Sequence, residues 1–168
     1  MNHLRLVVLL TLTSILLPIL SVPQSCAETI IEGGDVSGRW TTEGSPYVVL
    51  DDITIPEATT LIIDPGVVVR FISTTERSID MFVRGSLEAV GTEQDSISLL
   101  SNEHSFRAIE IPQGEVQPSP SSLHLEYCYV DSALYAFRAL AGQSCIVKHS
   151  TFITNTVGST SCAWNEIV

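Results

Sequence analysis

The stretch "LIIDPGVVV", residues 61 to 69, decides how this chain is read. Two strand-like apolar runs flank a Pro65-Gly66 corner, with Leu61, Ile63, Val67 and Val69 on one side of the alternation. Residues 81 to 89, "MFVRGSLEA", repeat the layout at an offset of 20, with Met81, Val83, Leu87 and Ala89 at the matching places. A second repeat, at an offset of 22, joins "LEYCYVDSALYA" from Leu125 to "VKHSTFITNTVG" from Val147. It matches Leu125 with Val147, Cys128 with Ser150, Val130 with Phe152, Ala133 with Asn155 and Ala136 with Gly158. Large apolar residues fall on large ones and small on small.

Helix signals are nearly absent after residue 27. Short runs such as "ITI", "LII", "VVVRF", "MFV", "ISL", "AIEI", "LHL" and "CIV" alternate inward and outward between Gly, Pro, Asp, Asn and Ser. This is an all-β pattern, and internal repetition separates a solenoid from a sandwich. Three short strands per period of about 20 to 22 residues describe one coil of a parallel β-solenoid. A hairpin sandwich would carry Asn-Gly or Asp-Gly turns, and neither dipeptide occurs. One coil alone buries too little apolar surface to offset the backbone entropy of ordering it, so coils must stack and be capped. With the offset of 20, Ile63 is expected against Val83, and Val67 against Leu87.

The chain opens with Arg5, an apolar region from Leu6 to Leu20, and the small residues Ser25-Cys26-Ala27. This predicts a secretory signal peptide over residues 1–27, cleaved before Glu28. The apolar run is broken at Pro18 and falls short of a membrane span. Pro23-Gln24-Ser25 is a poor lipobox, which argues against acylation of Cys26. The formal net charge is −11, and one Lys, Lys148, is present. That balance excludes a nucleic-acid footprint and permits Ca²⁺ without defining a site for it. Beyond the leader stand Cys128, Cys145 and Cys162, an odd set at equal spacing without a Cys-x-x-Cys or a His partner. They are expected to be free, buried thiols.

Residues 38 to 71, "GRWTTEGSPYVVLDDITIPEATTLIIDPGVVVRF", resemble the start of secreted right-handed parallel β-helix repeat proteins of the pectate-lyase-like superfamily fold. The likeness rests on Trp40, Ser45-Pro46-Tyr47, Thr60-Leu61 and Pro65-Gly66. Residues 83 to 101, "VRGSLEAVGTEQDSISLLS", resemble the family's next coil. "FRAIEI" departs from a Trp-Gly-Gly-Ile segment, with Phe106 and Ile109 still suited to the interior. The resemblance implies a fold and leaves function open, because the fold hosts adhesins, surface proteins, lyases and hydrolases. It implies an N-terminal cap over residues 28–50, with Trp40 and Tyr47 packed on the end of the first coil, and coils over residues 51–168. In the 22-residue register Ile146 is followed one coil on by Val168, the last residue. A truncated C-terminus is therefore expected, its face continued by further coils.

Chemistry-bearing residues form no repeated motif. Asp51-Asp52, Asp64, Glu88, Glu110, Glu126 and Asp131 supply carboxylates, and Arg70, Arg84 and Arg107 supply cations, without the recurring coil position of a Ca²⁺-dependent lyase. The offset of 20 places Asp64 under Arg84 as a cross-coil ion pair. Adjacent coils offer Glu88 and Glu110 as facing carboxylates of the kind glycoside hydrolysis needs. No Gly-x-Ser-x-Gly, P-loop, dinucleotide fingerprint or EF-hand loop occurs. His104, His124 and His149 are scattered, too dispersed for a Cu or Zn site. His149 is expected beside Tyr127 on the coil below. Tyr127, Tyr129, Tyr135 and Phe137 would offer a sugar platform or, for Tyr129 and Phe137, interior packing. The expected ligand face therefore comprises Tyr127, His149, Glu88 and Glu110. The expected function is a non-catalytic scaffold, secreted or at the cell surface, contacting extracellular polysaccharide or a surface glycan. The alternative is the N-terminal part of an extracellular polysaccharide lyase or glycoside hydrolase whose active coils lie beyond residue 168.

Overall fold

The computed structural model describes residues 27–102, 106–112, 121–135, 137 and 138, and 144–154. The expected signal peptide, save Ala27, lies outside them, as do His104, Ala136, Cys162 and the chain after Thr154. The chain enters through β1 (Thr29–Ile31), β2 (Gly34–Asp35) and β3 (Gly38–Trp40). It continues through β4 (Tyr47–Val49), β5 (Ile53–Ile55) and β6 (Thr60–Ile63), then β7 (Val68–Phe71), β8 (Asp80–Val83) and β9 (Ser86–Val90). Next come β10 (Ile97–Ser101), β11 (Ala108–Glu110) and β12 (Ser122–Glu126). Last are β13 (Cys128–Ala133), β14 (Phe137–Arg138), β15 (Ser144–Lys148) and β16 (Thr151–Thr154).

These strands form three parallel sheets, and each round of the chain visits all three in turn. The first sheet runs β1-β4-β7-β10-β13-β16, the second β2-β5-β8-β11-β14 and the third β3-β6-β9-β12-β15. The all-β expectation is met, and the arrangement is consistent with a parallel β-helix. Residues 28–50, expected as the cap, themselves supply the outermost strand of every sheet. Trp40 and Tyr47 lie there face to face, ring centroids 4.5 Å apart. The Tyr47 hydroxyl accepts the Thr41 N–H at 2.9 Å.

Alternation sorts each strand into interior and outward residues, and the ladders place interior residues on interior residues. Ile53, Met81, Ile109 and Phe137 form one such row. Leu61, Leu87, Leu123 and Cys145 form another, and Tyr47, Val69, Leu99, Val130 and Phe152 a third. All but Phe152 are buried. Phe71 and Phe106 stack between rounds with centroids 4.5 Å apart. Pro65-Gly66 is a corner as expected, with Gly66 at φ 77, a conformation that favours glycine. It carries the chain from β6 in the third sheet to β7 in the first.

The offset of 20 does not survive. Ile63 pairs with Ala89 rather than Val83, and Leu87 pairs with Leu61 rather than Val67. Val83 instead pairs with Ile55. The two quoted stretches resemble each other because strand, corner, strand is the unit of every round. They begin in different sheets, so the match crosses faces. The rounds also differ in length. The turn closed by Thr74 and Arg77, whose backbones exchange hydrogen bonds at 2.8 and 3.3 Å, extends one of them. Asp64 accordingly pairs with Arg39, at 2.8 Å, and not with Arg84. The offset of 22 holds for Leu125 with Val147 and for Val130 with Phe152. It slips after Asp131, where an irregularity pairs Ala133 with Thr154 instead of Asn155.

Replacing Phe71 by Ala removes a fully buried ring from this interior. The expected loss is about 3–5 kcal/mol of unfolding free energy, read as a lower midpoint in urea denaturation.

Candidate functional site

The third sheet leads to a corner used twice. β12 ends at Glu126 and β15 at Lys148, which face each other in register. The next residue in each case is aromatic: Tyr127 at φ 48 and His149 at φ 45. A left-handed backbone costs an ordinary residue roughly 1–2 kcal/mol. Backbone bonds hold the corner: the Tyr127 N–H donates to the Lys148 carbonyl at 3.2 Å, and the Ile97 N–H to the Tyr127 carbonyl at 3.1 Å. Ser150 braces it from the side, donating to the Lys148 carbonyl at 2.7 Å and accepting the Cys128 N–H at 3.0 Å. The Tyr127 and His149 rings stack 4.8 Å apart at an interplanar angle of 15°. Tyr127 is half-buried and His149 exposed. The neighbourhood expected from the 22-residue repeat is thus present.

Gly91 holds the corresponding place one round earlier, its N–H donating to the Glu126 carbonyl at 2.8 Å. A Cβ there would stand 2.8 Å from the Tyr127 carbonyl oxygen, so that round admits no ring. Beside the corner, His124 Nε2 lies 3.2 Å from Glu126 Oε2, and His124 is next to Glu88 in the ladder. A row of hydroxyls, Thr60, Ser86, Ser122 and Ser144, runs across the same sheet. Ser122 and Ser86 bond through their side chains at 2.9 Å. The corner offers an aromatic surface beside Glu126, Lys148 and the His124 imidazole, with the hydroxyl row at the far end of the same sheet. Such a set suits a polyhydroxylated ligand, whose C–H faces pack on rings while its hydroxyls exchange hydrogen bonds.

Glu110 is not part of this face. It lies on β11 in the second sheet and pairs with Arg138 at 3.1 Å, whereas Glu88 lies on β9 in the third sheet. The two carboxylates therefore do not face each other across adjacent strands. Tyr129 is half-buried beside Ser98 on the first sheet, and Phe137 fills the interior against Phe152 at 5.7 Å. Cys128 and Cys145 are both buried, as expected, and Cys128 is a free thiol. Burial pushes the Cys128 thiol up to about 12.

One residue that sequence reading missed stands out in the second sheet. Asp80 points outward from β8, yet its side chain is only 3 % exposed. Its Oδ2 lies 3.3 Å from Arg107 Nη1, while Oδ1 has no hydrogen-bond partner among the described residues. Burial, above all, raises its carboxyl to about 6; Arg107 opposes the rise, and Asp52 and Glu110 add to it. The only hint in the sequence is an acid inside the strand-like run "SIDMFV".

Among the described residues no three His, Cys, Asp or Glu side chains converge as metal ligands. Among them, too, no helix is long and apolar enough to cross a membrane. No protein-family model, curated protein or solved structure matches the chain.

The left-handed corner gives a direct comparison. His149→Gly and His149→Ala both lose the stack, but only glycine is relieved of the backbone penalty. The glycine variant should be more stable than the alanine variant by about 1 kcal/mol, measured by chemical denaturation of the pair.

Proposed function

We propose that the chain is a right-handed parallel β-helix, exported from the cell and acting as a non-catalytic scaffold. Its Tyr127–His149 corner contacts extracellular polysaccharide or a surface glycan. Chain connectivity supports the right hand, since parallel crossovers within one sheet are right-handed in about 98 % of cases. The leader-like residues 1–27 support export.

The observation that carries the reading is the pair of rings held by left-handed backbone at successive corners. Glycine, not an aromatic residue, is what such a conformation favours. Strained positions of this kind concentrate where side-chain placement serves binding. Ring stacking is the general way a protein holds the apolar face of a sugar, and Glu126, His124 and Lys148 stand beside it for the hydroxyls. The net charge of −11 favours neutral over polyanionic glycans.

Purified protein should bind a neutral polysaccharide in a panel measured by affinity electrophoresis. Tyr127→Ala and His149→Ala should each weaken that binding by about tenfold, equivalent to about 1.4 kcal/mol. Glu110→Gln, on another sheet, should leave it unchanged. Binding insensitive to both corner variants, or none across the panel, would remove the corner from the proposal. Shortening of the polysaccharide during incubation would turn the reading toward a lyase or hydrolase.

A further inference from the structure

We propose that Asp80 is a proton-operated latch on the outward face of the second sheet, tightening the packing of β5, β8 and β11 as the surroundings turn acidic. Asp80 stands one step before the Ile53–Met81 pair, directly beside Asp52 on the neighbouring chain segment, and pairs with Ala108 on the other side. The Asp80 N–H donates to Asp52 Oδ1 at 2.8 Å, which fixes the two carboxyl-bearing residues against each other. An outward residue in such a row would ordinarily be wet. Here the side chain is almost wholly covered, and one carboxyl oxygen lacks a partner among the described residues.

The charges around it compensate only part of a negative Asp80. From the β5 side come Asp51 and Asp52, and Arg77 from the loop before β8 is bonded to Asp51 and lies 3.5 Å from Asp52. From the β11 side come Arg107 and Glu110. From β14 comes Arg138, which is 3.1 Å from Glu110 and lies 5.7 Å over the Tyr135 ring. Two of the three arginines are thus engaged by other acids. The third, Arg107, has a side chain half in water and meets Asp80 at 3.3 Å. A buried carboxylate with one half-solvated cation, one unpartnered oxygen and an acid on either flank is costly in its charged form. A proton lowers the cost: the buried charge and its opposition to Asp52 and Glu110 end, which outweighs the lost attraction to Arg107.

The direction of the effect follows from linkage. The folded carboxyl is raised from 3.8 to about 6, so the native state keeps a proton that the unfolded chain has released. Stability from this group is fully present at and below the ordinary value of 3.8 and is lost as pH rises through about 6. The latch is therefore closed in acid and open at neutral pH. It lies on a different sheet from the Tyr127–His149 corner and does not depend on what that corner binds.

The test compares the intact protein with Asp80→Asn by thermal melting at constant ionic strength. Asparagine fills the same space and carries no charge. The variant should gain on the wild type as pH rises, the difference in Tm widening by at least about 3 °C between acid and mildly alkaline buffer. Parallel pH profiles for the two proteins would overturn the latch. Carbon-13 NMR of the wild-type aspartate carboxyls decides the matter even if the variant does not fold. One aspartate should titrate near pH 6; if all of them titrate in the ordinary range, about 3.9, the proposal falls.

Discussion

The parallel ladder between successive rounds governs everything else in this molecule. Each strand takes its backbone partners from the round before and the round after. A residue that is interior in one round is therefore stacked on one that is interior in the next. The row Ile53, Met81, Ile109, Phe137 and the row Leu61, Leu87, Leu123, Cys145 are direct products of that constraint. Apolar side chains of different shape satisfy it, because the ladder fixes position and the interior demands only that volume be filled. Where the demand is for a large flat filler, Phe71 and Phe106 meet ring on ring.

The same constraint frees the outward residues and the corners. Corners absorb differences in round length, which is why a long segment before β8 leaves the ladder of the second sheet intact. The three outward faces have also diverged in character. The third sheet carries hydroxyls, His124, Glu126 and Lys148. The second carries Asp52, Asp80, Glu110 and their arginines, and the first mixes Val68, Leu100 and Tyr129 with Arg70 and Asp131. No such difference is needed to hold the rounds together, so each face must be explained by what happens on its own surface.

Much of this was legible in the sequence, and the limits have a physical source. Alternating strands and the Pro65-Gly66 corner signalled an all-β chain that returns on itself. The 22-residue repeat was real over Leu125 to Phe152, so the Tyr127–His149 neighbourhood could be read from it. The 20-residue repeat misled because alternation has a period of two, and any two strand-corner-strand units align at some offset. The wrong register then carried Asp64 to Arg84, when its partner is Arg39. Glu88 and Glu110 were joined by a similar step that did not assign each strand to its sheet. Asp80 was invisible for another reason. Its polar contacts come from groups distant in the chain, Asp52 and Arg107, and local pattern marks it only as an outward acid.

The two unusual outward features share a logic. At the corner, left-handed backbone is imposed on Tyr127 and His149, and the stack between them partly offsets the penalty. In the second sheet a carboxyl is shut away from water, and Arg107 partly offsets that. Both arrangements persist although simpler solutions are compatible with the fold. Gly91 turns the equivalent corner without a ring, and Thr54 and Phe82 occupy outward places on the second sheet without a buried charge. The ladder and the interior rows tolerate each cost without requiring it. A cost that the fold can bear but does not need points to the surface, where we propose that the rings face a ligand and the carboxyl answers to the proton concentration outside the sheet. The two features lie on different sheets, with Asp80 on the second and the corner at the end of the third, so neither proposed role depends on the other.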